Sequence, residues 1–126
     1  DEEASAELLD VPAKLHEERL LGTWEQDKFG RRRLTILPDG KAKMLIEPSG
    51  AWSLAFGPKL EAEMFWSVER GRIIYGMTSG TPAAKYEIAV KAWGDRWNES
   101  LTELTDTRLV VTADDGTVSV WQRVSE

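Results

Sequence analysis

Met64-Phe65-Trp66-Ser67-Val68-Glu69-Arg70-Gly71-Arg72-Ile73-Ile74-Tyr75-Gly76-Met77 folds back on itself when a two-residue turn is placed at Arg70-Gly71. That turn sets Val68 opposite Ile73, Trp66 opposite Tyr75 and Met64 opposite Met77. Side chains alternate across a strand, so three matched apolar pairs give a hairpin with one buried face. The other face carries Glu61, Glu63, Phe65, Ser67 and Glu69, is mostly polar and points outward. Leu37-Pro38-Asp39-Gly40-Lys41 closes a second hairpin, pairing Ile36 with Ala42 and Leu34 with Met44. A third turns at Asp114-Asp115-Gly116 and pairs Leu109 with Trp121 and Val111 with Ser119, while a one-residue slip would instead favour Val118 and Val120.

Between these hairpins, Tyr86-Glu87-Ile88-Ala89-Val90-Lys91-Ala92 alternates apolar with mixed positions and reads as a strand. Another strand spans about 97–104, and Thr105-Asp106-Thr107 turns into the next. The only helix expected is short and amphipathic, over about 11–20, stopped by Gly22. The class is therefore all-β: an up-and-down antiparallel β-barrel of about eight or nine strands behind a short N-terminal helix.

Charge divides the chain. Of 16 Lys+Arg and 22 Asp+Glu, residues 1–19 hold seven acids and two bases, so most of the net −6 belongs to this leader. Residues 20–126 form the barrel domain and are nearly neutral. Nucleic acid is excluded as a partner, because phosphate binding needs a basic stripe. There is no cysteine and a single histidine, His16, which reads as exposed beside Glu17 and Glu18. No metal site and no cofactor are expected. No apolar run is long enough for a transmembrane segment. No base and nucleophile are placed together, so the chain is not expected to be an enzyme.

Gly22-Thr23-Trp24 follows the helix and opens the first strand, and Arg123 sits on the last. This resembles the Gly-x-Trp motif of lipocalins and their calycin relatives. In those families the Trp packs at the closed barrel end, with an Arg of the last strand across it. The resemblance implies that Gly22, Trp24 and Arg123 are the structural signature. The chain is nearer in length to fatty-acid-binding proteins and avidins, and is similar to small bacterial lipocalin-like domains. Such domains are often exported, so the acidic leader is expected to be a tether and the protein extracytoplasmic: secreted, periplasmic or a lipoprotein.

Two functions follow as expectations. In the first, the barrel binds a small apolar or amphipathic ligand. Met44, Met64, Trp66, Tyr75, Met77 and Tyr86 would line it, with Trp52 and Phe56 at the mouth. In the second, the core is filled, and the loop over residues 48–58 is a contact surface for a protein partner. An eight-stranded barrel is just wide enough for either arrangement. Trp93-Gly94-Asp95-Arg96-Trp97 reads as a turn with pinned indoles, and Arg31-Arg32-Arg33 as a solvated strand end.

Overall fold

The computed structural model describes residues 13–27 and 30–124; the side chains of residues 13–15, 55 and 56 lie outside that description. The leader over residues 1–12 lies outside it as well.

Eight antiparallel strands follow one another around a closed barrel. They are β1 (Gly22–Asp27), β2 (Gly30–Ile36), β3 (Lys41–Pro48), β4 (Leu60–Glu69), β5 (Arg72–Thr81), β6 (Arg96–Leu104), β7 (Arg108–Thr112) and β8 (Val118–Arg123). The described residues add three helices: α1 (Ala13–Leu20), α2 (Ala51–Phe56) and α3 (Ala83–Trp93).

All three hairpin registers read from the sequence are present. Trp66 faces Tyr75 and Met64 faces Met77, around a turn in which Arg70 and Gly71 both take positive φ. Leu34 faces Met44 and Ile36 faces Ala42. Leu109 faces Trp121 and Val111 faces Ser119. In each case the burial of matched apolar pairs on one face holds the register.

The expected strand over 86–92 is instead helix α3. Alternation there is only apparent. Ala89 is buried while Ile88 is exposed, and Tyr86, Val90 and Trp93 pack on the core at helical spacing. Pro82 stands before the first turn, and the Gly94 N–H caps the last by donating to the Val90 carbonyl. Likewise the 48–58 segment is not an open loop, since it winds into α2 between Gly50 and Gly57.

Up-and-down winding sorts the connections to two ends. The turns at 37–40, 70–71 and 105–107 lie at one end with α1. Helices α2 and α3 and the 113–117 turn lie at the other. The α1 end is closed by Trp24, which is fully buried and donates from Nε1 to the Leu20 carbonyl at 2.9 Å. The Arg123 guanidinium lies 4.2 Å from the Trp24 ring centroid. It also donates to the carbonyls of Leu21, Arg19 and Asp106. A Cβ on Gly22 would stand 2.6 Å from Arg123 Nη1, so only glycine admits the guanidinium there. The seam between β1 and β8 has just two residue pairs, Trp24 with Arg123 and Glu25 with Gln122.

His16 is not exposed. It is fully buried in α1, and neither ring nitrogen has a hydrogen-bond partner among the described residues. Burial, and then the nearby Arg19 charge, pull its pKa below the ordinary 6.5. The folded state therefore holds His16 neutral while the unfolded chain takes up the proton first as pH falls. Its contribution is full above the unfolded value and is lost as pH drops through 6.5 toward the lower folded value. Urea midpoints measured from about pH 8 to about pH 5 should fall more steeply for the natural chain than for His16→Leu. Parallel curves would rule His16 out as the titrating group.

Candidate functional site

The inner barrel is filled at the closed end and hollow at the other. Trp66 and Trp121 rise from the walls near the closed end, among Leu34, Ile36, Leu109 and Val111, and leave a void of about 20 Å³. That is room for roughly one water. Trp66 belongs to this plug. Its Nε1 donates to the carbonyls of Leu37 (2.9 Å) and Lys41 (2.8 Å), which pins the indole beneath the β2–β3 turn. Trp66 is thus not a wall of the larger cavity, contrary to the sequence expectation.

Above the plug lies a cavity of about 280 Å³. This is close to the lower limit of small-molecule pockets, about 300 Å³. Met44, Met64, Tyr75 and Met77 line it as expected. Among the lining residues the sequence reading did not place there are Arg32, Trp93, Trp97, Glu99 and Asp115. Trp97 is paired with Tyr75 across β5 and β6, and the two rings stack with centroids 5.3 Å apart. Trp93 ends α3 at the rim and places its ring 5.0 Å from the Arg32 guanidinium.

Two expected mouth or wall residues lie elsewhere. Tyr86 packs from α3 on the backbone of β5, where a Cβ on Gly80 would meet its ring at 2.5 Å. It does not reach the cavity. Trp52 stands behind Trp93, ring centroids 6.1 Å apart, so it supports the rim rather than lining it. The Phe56 side chain falls outside the described residues.

Arg31-Arg32-Arg33 is not one solvated cluster. Alternation splits it. Arg31 and Arg33 turn outward and both hold Glu25 Oε1, at 2.7 and 2.6 Å. Arg33 foremost, and then Arg31, keep the Glu25 carboxyl below the usual carboxylate range. Arg32 shares the inner face with Leu34 and Ile36 and enters the cavity. Its burial lowers its pKa below the usual guanidinium range, in the direction expected for a desolvated cation.

On the opposite wall Glu99 is 7% exposed and accepts a hydrogen bond from the Tyr75 hydroxyl at Oε1. Burial, and then this contact with Glu99, push the Tyr75 pKa far above the phenol range. The phenol therefore stays protonated and acts as a donor, not as a base. Chemically the site offers flat aromatic walls, soft thioethers, the half-buried Arg32 guanidinium, the buried Glu99 carboxylate and, on its exposed side, the Asp115 carboxylate.

The architecture and the closed-end tie can now be compared with known proteins. A solved lipocalin-like protein from Bacteroides uniformis superposes with a TM-score of 0.60, covering 84% of this chain and 99% of that one at 11% identity. The fold is lipocalin-like. An uncharacterized protein from Bacteroides eggerthii matches the lipocalin-like barrel with a TM-score of 0.53, over 82% of this chain and 98% of the other at 12% identity. No family model and no curated protein matches the sequence. At these identities the likeness concerns the barrel alone.

Proposed function

We propose that the protein is a non-enzymatic binder that holds a small apolar or amphipathic molecule in the mouth half of its barrel. The observation that carries this reading is the cavity of about 280 Å³ between the Tyr75–Trp97 stack and the three methionines. Stacked rings give a flat, rigid surface, and thioethers adapt their shape to what lies on them. An enzymatic role has less support, because Tyr75 is held protonated and acts as a donor.

The test is binding of a panel of fatty acids and naphthalene dyes, read by calorimetry and by quenching of tryptophan fluorescence. Met77→Trp fills the cavity from β5. It should weaken the best binder at least about tenfold while the circular dichroism spectrum stays that of the barrel. Unchanged affinity in Met77→Trp would remove the cavity as the site.

A second reading rests on the outer face of the rim. Leu54 on α2 is 85% exposed, and Trp52 and Ile88 are exposed beside it. That apolar group suits a protein contact through the 48–58 segment. Leu54→Glu separates the readings, since it should leave binding of the panel unaltered and abolish only contacts made through α2.

A further inference from the structure

Glu99 lies on β6 two residues beyond Trp97, so both side chains enter the cavity from the same face of the strand. Tyr75 stands opposite Trp97 on β5, and its hydroxyl donates to Glu99 Oε1. The second oxygen, Oε2, has no hydrogen-bond partner among the described residues. It is not sealed by protein either, although Glu99 is more than nine-tenths buried. It therefore opens on the cavity that Glu99 lines. A carboxylate has about four acceptor sites, and Tyr75 fills one. Taking the others out of water without a donor is costly, so a guest that displaces water from this cavity has to bring one.

The charges around Glu99 decide what kind of donor it is. Arg32 reaches the cavity half-buried, with its guanidinium against the Trp93 ring, and is already engaged within the protein. Asp115 lines the exposed side, where water screens it and its Oδ1 accepts from the Thr117 N–H at 2.9 Å. The remaining polar lining, Gln26, Thr117 and Ser119, is neutral. An anion would meet both carboxylates. A cation would gain at Glu99 and lose at Arg32, which faces the same space. A neutral N–H donor satisfies Oε2 and meets neither penalty. Its bond is charge-assisted, because the acceptor is ionised. Glu99 stands about 7 Å along the strand from Trp97, so a two-ring molecule lying on the Tyr75–Trp97 stack can bring an edge to Oε2.

We propose that the cavity takes a neutral, flat heteroaromatic molecule that lies on the Tyr75–Trp97 stack and donates an N–H hydrogen bond to Glu99 Oε2. This rests on the binding function proposed above and names its ligand class.

Four two-ring probes of similar shape test it by calorimetry on the intact protein: 3-ethylindole, 3-ethylbenzofuran, tryptamine and indole-3-acetate. The first two differ only in the ring N–H, whereas tryptamine adds a cation and indole-3-acetate an anion. 3-Ethylindole should bind at least about tenfold tighter than 3-ethylbenzofuran, the worth of one bond to a charged acceptor. It should bind at least about threefold tighter than either charged probe. Glu99→Gln keeps the shape and removes the charge, so the preference for indole over benzofuran should fall to about threefold or less. Tyr75→Phe keeps the ring and the carboxylate and should retain the preference. Both variants should melt as folded barrels. Binding of 3-ethylindole and 3-ethylbenzofuran within about threefold overturns the donor bond while leaving the cavity as a binding site. A preference that Glu99→Gln leaves unchanged does so too, as does binding of the naphthalene dyes but none of the four probes. Tightest binding of a charged probe overturns the neutral class. Failure of every dye, fatty acid and probe overturns the binding function itself.

Discussion

Trp24→Ala should destabilise the barrel by about 3–5 kcal/mol, the range for emptying a fully buried large aromatic site. Three losses coincide there. The indole leaves a hole in the closed end, its hydrogen bond to the Leu20 carbonyl goes, and Arg123 loses the ring beneath it. An ordinary domain of this size has about 5–15 kcal/mol in total, so the variant should sit close to its unfolding midpoint in mild urea. Arg123→Met keeps much of the side-chain volume but strands the Leu21, Arg19 and Asp106 carbonyls. It should cost less, about 2–3 kcal/mol, because the guanidinium is partly solvated. The double variant should be less damaging than the sum, with a coupling of about 0.5–2 kcal/mol for the cation–π contact. A midpoint shift for Trp24→Ala no larger than that of a surface substitution would refute this account of the closed end.

Gly30→Ala should cost about 3 kcal/mol or more, a large effect for one methyl group. Gly30 sits at φ +123°, facing Pro48 across β2 and β3. An added Cβ would stand 2.3 Å from the Glu47 carbonyl oxygen and 2.7 Å from Pro48 Cα. Both obstacles are backbone, so no rotamer change relieves them and the β2–β3 ladder must part at the mouth. Gly116→Ala is the control: it shares a positive φ, but nothing lies within 4 Å of its Cβ position. It should cost only the conformational part, about 1 kcal/mol. Equal denaturation midpoints for the two variants would show that the close approach at Gly30 has no weight.

The barrel was legible in the sequence wherever both strands of a hairpin carry their own pattern. Val68, Trp66 and Met64 name their partners Ile73, Tyr75 and Met77 without outside help. Helix α3 was not legible by alternation, because residues 86–92 satisfy a period of two by chance and a period of 3.6 by burial. The better signals were Pro82 before two alanines and Gly94 after Trp93. The cavity was half legible. Its methionines and Tyr75 come from the hairpin argument, whereas Arg32 was hidden by treating three arginines as a unit. Parity with Leu34 and Ile36, both inward, places Arg32 inside. Glu99 follows in the same way from its position between Trp97 and Leu101. Buried charge contradicts the usual inside–outside rule, and for that reason a pattern of apolar residues alone did not find it.

The short seam between β1 and β8 has a consequence for traffic. Above Glu25 the two strands exchange no ladder hydrogen bonds, yet Gln26 on one lip and Ser119 on the other both border the cavity. Val118 and Val120 form an apolar outer edge to that gap. The closed end therefore works as a clasp, and the β1–β8 wall above it is the least tied part of the barrel. Under the proposed binding function, a guest too large for the cavity would strain this wall before any other, because no ladder bonds resist its parting there.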